Sequence, residues 1–121
     1  MRVTFLVTGL LSFISFVSAT VYSDSLLPSN YKGYTVAHTY YTISYSEADK
    51  LAEWVAYSLS PMLINGTQKR TSKFMADPMI KDAVRPSSYS KSGYDRGHLC
   101  PAADMKLNPV SMDESFYMSN M

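Results

Sequence analysis

The clearest alternation of apolar and polar positions falls at Tyr41-Thr42-Ile43-Ser44-Tyr45, with Tyr41, Ile43 and Tyr45 on one face. Successive side chains of a strand point to opposite faces, and aromatic and β-branched residues suit that pleated surface. With Tyr34–Thr39 before it, the pattern predicts one strand or two short ones. His38 reads as a strand residue, because no second metal-ligating side chain accompanies it. The next segment, 46–60, fits two periods. Ala48, Leu51, Ala52, Val55, Ala56 and Leu59 recur at helical spacing, with Ser46 as N-cap and Asp49 three residues on. Val55, Tyr57 and Leu59 alternate as in a strand. Periodicity by itself slightly favours the helix, and Pro61 ends either element.

Later segments are less regular. Residues 20–33 are an extended lead-in with Pro28, Asn30 and Gly33 as turn punctuation. Asn65-Gly66 is a hairpin-type turn signal. Asn65-Gly66-Thr67 is also an N-glycosylation acceptor pattern, but the turn accounts for it. Residues 67–92 are polar, with Asp77-Pro78 and Arg85-Pro86 as loop markers. Met112 to Glu114 reads as an acidic turn, and Phe116 to Ser119 as a brief strand that delivers Asn120 at its end.

The N-terminus follows a different pattern. Arg2 precedes an uncharged run from Val3 to Val17, closed by Val17-Ser18-Ala19. A basic start, an apolar stretch and small residues at a cleavage point describe an export signal over residues 1–19. A membrane anchor normally needs ~20 apolar residues, and this run is shorter and diluted by Thr4, Thr8, Gly9, Ser12 and Ser15. The expectation is a secreted or periplasmic protein with no stable membrane association after cleavage. Cys100 is the single cysteine, so no disulfide staples the chain, and packing is its expected role.

Composition and charge sharpen the remainder. A chain of 121 residues with 46% hydrophobic and 17% charged residues supports one small globular domain and excludes disordered and low-complexity classes. Charge is divided unevenly. Residues 20–68 carry two basic against four acidic side chains, a balance of −2. Residues 69–106 carry eight basic against four acidic, a balance of +4. Such an excess holds a phosphate backbone or is a solvated basic face.

At the centre of the basic half lies Gly93-Tyr94-Asp95-Arg96-Gly97-His98-Leu99-Cys100-Pro101-Ala102-Ala103-Asp104. Phosphodiester hydrolysis needs a base for the attacking water, a charge clamp for the phosphoryl oxygens and neutralisation of the leaving oxygen. A histidine near its ordinary pKa of about 6.5 serves as base, and an arginine fork clamps phosphate. If residues 95–99 are extended, Arg96 and His98 share one face. The competing account is a local Asp95–Arg96 ion pair beside a half-buried histidine, and the tetrad alone leaves the two evenly balanced.

The longer string from Ser90 through Asp104, followed by Met112-Asp113-Glu114-Ser115-Phe116-Tyr117-Met118-Ser119-Asn120, closely resembles the DNA/RNA non-specific endonucleases, a branch of the ββα-metal (histidine–metal finger) nucleases. Tyr41–Tyr45, Trp54–Tyr57 and Arg70…Phe74…Asp77 resemble that family's upstream segments. The resemblance implies an α+β fold over residues 34–121, a mixed or antiparallel sheet, and a strand at Trp54–Leu59 in place of the helix. It implies His98 as general base, Arg96 on the phosphate, Asp95 positioning the loop and Asn120 as ligand of magnesium, with manganese the alternative ion. Arg70, Lys73 and Lys91 become candidate nucleic-acid contacts. The family cleaves DNA and RNA to 5′-phosphate products without sequence preference, as contacts to phosphate alone would give. Its finger closes with a helix bearing a glutamate after the asparagine. Here Met121 follows Asn120, so the resemblance implies an incomplete chain. The alternatives are a secreted nucleic-acid-binding module without catalysis and a structural domain with a solvated basic loop.

Overall fold

Three strands, β1 (Tyr34–Ala37), β2 (Tyr41–Ser46) and β3 (Leu51–Tyr57), pair antiparallel in the order β1-β2-β3. The computed structural model describes residues 26–121; the export signal expected over 1–19 and the start of the lead-in lie outside the described residues. The predicted alternation is realised in β2, where Tyr41, Ile43 and Tyr45 join Val36, Ala52 and Leu63 in the main apolar cluster. The polar face of β2 (Thr42, Ser44, Ser46) is buried as well.

The stretch 46–60 is mostly strand, against its helical periodicity. The cap-like contacts exist: Ser46 Oγ donates to Asp49 Oδ2 at 2.7 Å, and the Asp49 N–H donates to Ser46 Oγ at 3.2 Å. They close the β2–β3 turn instead of opening a helix. Lys50 takes φ 58° there and donates its N–H to Ser46 O at 2.8 Å. Leu51 and Leu59 are exposed while Ala52 is buried, so the apolar stripe faces no common surface. Pairing with β2 satisfies the backbone, and tertiary burial overrides a weak local preference.

A bulge in β3 links the sheet to the lead-in. Tyr45 pairs with Ala52 and Ser44 with Trp54, leaving Glu53 as the extra residue. Its carboxylate accepts from Ser44 Oγ at 2.8 Å and from the N–H groups of Gly33 and Lys32 at 2.9 and 3.1 Å. A side chain at Gly33 would place Cβ 2.3 Å from Tyr45 O, so only glycine permits this approach.

Two helices follow, α1 (Pro61–Ile64) and α2 (Pro109–Ser115). Pro61 starts α1 behind the Ser60 cap, where a missing N–H costs nothing. Asn65 and Gly66 do not form a hairpin. Asn65 ends α1, and a Cβ at Gly66 would meet Lys106 O at 1.9 Å, because the chain runs directly against that residue. The expected acidic turn is α2, capped by Asn108 and Ser111 in a reciprocal pair. Glu114 fixes α2 to the β1–β2 turn: its carboxylate accepts from the Thr39 N–H at 3.0 Å and Thr39 Oγ1 at 2.7 Å. The result is an α+β fold whose sheet is antiparallel throughout.

His38 lies just beyond β1, in the turn, and is buried. Its ring packs against Tyr41 and Tyr117, with centroids 4.6 and 5.4 Å away. Its Nε2 lies 3.0 Å from Asp77 Oδ2. Burial alone would raise the Asp77 carboxyl. His38, the Ser119 hydroxyl and the Met79 N–H outweigh it and hold the group below its ordinary value. Distance in sequence hid this partner: Asp77 is far from His38 along the chain.

Candidate active site

Three irregular segments, around residues 74–77, 98–100 and 116–120, lie side by side and hold the chemistry. The Met75 N–H donates to Phe116 O at 3.1 Å and the Met118 N–H to Met75 O at 2.8 Å. The Leu99 N–H donates to Asn120 O at 2.9 Å, so the C-terminal segment runs between the other two. Phe116 to Ser119 is thus not a strand. It makes one parallel bridge, Met75 with Tyr117, and then turns as a short 3-10 helix, Met118–Asn120. Ser119 Oγ donates to Asp77 Oδ2 at 2.5 Å and locks the 74–77 segment to this turn.

Asn120 is fully buried, and its amide is consumed by backbone. Oδ1 accepts the Cys100 N–H at 2.8 Å, while Nδ2 donates to Cys100 O at 2.9 Å and Ser115 O at 2.8 Å. Hydrogen-bonding both backbone groups of one residue, it acts as a clasp on the chain two residues after His98. The amide that the resemblance assigns to magnesium is thus engaged by backbone in this structure, with Oδ1 serving the Cys100 N–H through one of its two lone pairs. Cys100 packs fully buried, as expected, with its thiol pushed up to about 12 first by burial and then by Asp104.

Residues 94–98 form no strand, yet Arg96 and His98 do address one side of the chain, since both rest on Phe74. The Arg96 guanidinium carbon is 4.1 Å from the Phe74 ring centroid. The His98 ring lies 5.8 Å from Phe74 and 4.6 Å from Phe116, edge-on to the latter. The Arg70 guanidinium carbon is 5.0 Å from the Phe116 centroid. Arg70, Arg96 and His98 thus share one mount of two phenyl rings. Burial first, and then the Arg70 charge, lower the His98 pKa below its ordinary value. Both effects disfavour the imidazolium, so His98 is neutral at pH 7 and free to accept a proton.

The remaining candidates divide. Asp95 is exposed, and among the described residues it makes no ion pair with Arg96, so the local pair weighed from sequence is not formed. With Arg96, Tyr89 and Tyr94 it lines an open groove of about 470 Å³. Gly97 has open space where a Cβ would stand. Lys73 and Lys91 are exposed, and among the described residues the cations stacked on these phenyl rings are the two arginines. A larger concavity of about 590 Å³ opens by Lys50, Asp77 and Arg85, but His98, Arg96 and Arg70 are not in its lining. Sequence reasoning missed the roles of Phe74 and Phe116. Both lie in the strings that resemble the family, but nothing in those strings says that the two rings meet or that arginines lie over them.

These residues match known proteins. The family model for DNA/RNA non-specific endonucleases matches residues 19–121. The chain is 38% identical over 86 residues to Nuclease C1 of Cunninghamella echinulata var. echinulata, covering 67% of this chain and 34% of that protein. It is 30% identical over 106 residues to mitochondrial Endonuclease G of Caenorhabditis elegans, covering 82% of this chain and 34% of that protein. Among solved structures, a chain of the EndoG/EndoGI complex aligns with TM-score 0.68 and 30% identity, over 75% of this chain and 39% of that one. The chain spans about a third of the length of these curated relatives. The chain belongs to the DNA/RNA non-specific endonuclease family.

Proposed function

We propose that this chain carries the histidine–arginine part of a nuclease that hydrolyses phosphodiester bonds in DNA and RNA, without sequence or sugar preference, to 5′-phosphate products. The observation that carries the proposal is His98: half-buried, with a lowered pKa, and mounted beside two guanidiniums. His98 takes the proton of the attacking water. Arg96, and Arg70 behind it, hold the phosphoryl oxygens as negative charge builds. Desolvation and the neighbouring charge make His98 a weaker base than free imidazole, but keep it unprotonated at and somewhat below neutral pH. Groups that contact only phosphate carry no sequence information, which supports indifference to base and sugar. Lys73 and Lys91 extend the basic surface along the backbone of a longer substrate, and Asp95 shapes the groove beside Arg96.

The divalent-cation requirement that goes with the family extends to this proposal, with magnesium as the ion and manganese as its alternative. Asn120 stands at the position the resemblance gives to its ligand, and no step is assigned to the ion. Arg2, the Val3–Val17 run and the small residues before Thr20 support export to the periplasm or the medium. Plasmid cleavage by His98→Ala tests the reading. A fall of about 10²–10⁴-fold is expected, with DNA binding retained. Unchanged cleavage would rule out the general base. DNA binding by the unaltered protein, with no cleavage in either form, would establish the competing binding module instead.

A further inference from the structure

Arg70 and Arg96 are exposed cations, and among the described residues neither is paired with a carboxylate. An unpaired arginine on a surface samples many rotamers, which is a poor way to hold a phosphate. Here each guanidinium lies over a ring face, Arg96 at 4.1 Å on Phe74 and Arg70 at 5.0 Å on Phe116. The two rings meet each other at 5.0 Å and 67°. Their backbones are joined by the Met75 N–H to Phe116 O hydrogen bond, and Phe116 is fully buried at the end of α2. The mount is therefore rigid, and its position is set by the core.

A ring face suits this task better than a carboxylate. It attracts the cation through its quadrupole while leaving the guanidinium N–H edge free for a phosphate. A carboxylate would occupy that edge, compete with the substrate and raise the pKa of the adjacent imidazole. The same two rings cover His98 and contribute to the desolvation that keeps it neutral.

We propose that Phe74 and Phe116 are positioning residues. They orient Arg96 and Arg70 toward the scissile phosphate and shield His98, without touching substrate themselves. The proposal rests on the nuclease reading above and adds to it the origin of the arginine geometry.

Phe74 is the residue to test, since it is only partly buried while Phe116 is in the core. Phe74→Leu removes the quadrupole, and kcat/KM on plasmid DNA is expected to fall about three- to tenfold. Phe74→Trp restores the π face, and most of the loss is expected to return. A general packing defect would instead be felt more by the larger tryptophan. If Phe74→Leu fails to fold, phenylalanines carrying one to three ring fluorines at position 74 keep the shape and weaken the quadrupole stepwise. A stepwise loss of kcat/KM at constant thermal midpoint is expected, whereas a flat response would overturn the proposal. The Arg96 Nε–H resonance separates this inference from the nuclease reading. A ring-current upfield shift in the unaltered protein, abolished in Phe74→Leu or weak in the fluorinated series only by loss of occupancy, supports the mount even if no cleavage is seen. Its absence in an actively cleaving protein would refute the mount and leave the nuclease reading standing.

Discussion

The sheet and the margin around His98 are built on different physics. In β1–β3 the backbone hydrogen-bonds to itself in a ladder, and side chains are sorted by simple alternation, as with Tyr41, Ile43 and Tyr45. Around His98 there is almost no ladder. Three irregular segments are fastened by side chains instead: Asn120 on Cys100 and Ser115, Ser119 on Asp77, and Phe74 on Phe116. A ladder spreads its stability over many equivalent bonds. A side-chain clasp concentrates it, so single substitutions at the margin should cost more than comparable ones in the sheet.

Asn120→Ala is the severest test of that contrast. It would leave the Cys100 N–H and C=O and the Ser115 C=O buried without partners, a loss of about 3 kcal/mol or more. A urea midpoint measures this, and cleavage is expected to fall with it as the chain after His98 is released. Asn120→Asp keeps one acceptor but loses both donated bonds and buries a charge, so it should rescue neither stability nor activity. Were Asn120 a metal ligand, the aspartate would bind the cation at least as well, and activity would survive.

In the sheet, Ile43→Val removes one methylene from a fully buried side chain and should cost about 1 kcal/mol by the same urea measurement. No change in cleavage per folded molecule is expected. A loss of activity there would mean that the two regions are coupled more tightly than their bonding implies.

A smaller effect tests the electrostatics of the margin. In the proposed role His98 must be neutral, and burial and the Arg70 charge, which lower its pKa, favour that form. Arg70→Ala removes one of the two causes, so the His98 pKa rises and the acid limb of the pH–rate profile moves to higher pH. An unmoved limb would leave burial as the sole cause. The smallest effect belongs to the exposed Glu47–Lys50 contact at 2.7 Å in the β2–β3 turn. Solvent screens such a pair, so Glu47→Gln should change neither melting nor cleavage measurably.

How much was legible follows the same division. The β2 alternation is a local property and appears unchanged in the structure. The helical pattern over 46–60 was local too, and misleading: Ser46 and Asp49 make cap-like contacts, but the partner strand decided what followed them. Arg96 and His98 were placed on one side by their spacing, and the structure puts both on Phe74 although the segment is not a strand. Asn120 was singled out as a residue of consequence, but its clasp on Cys100 and Ser115 was not legible, because the sequence does not say which atoms meet its amide.

The sequence by itself determined the central strand, the uneven charge and the family string around His98, since each is written in adjacent or regularly spaced residues. Only the tertiary structure decided that His38 meets Asp77, that Asn120 clasps Cys100, and that two phenylalanines 42 positions apart carry the arginines and shield the histidine. Those contacts join residues with no periodic relation. They exist because burying the apolar faces of the sheet and α2 brings distant segments together, and the polar groups taken inside must then find partners in one another.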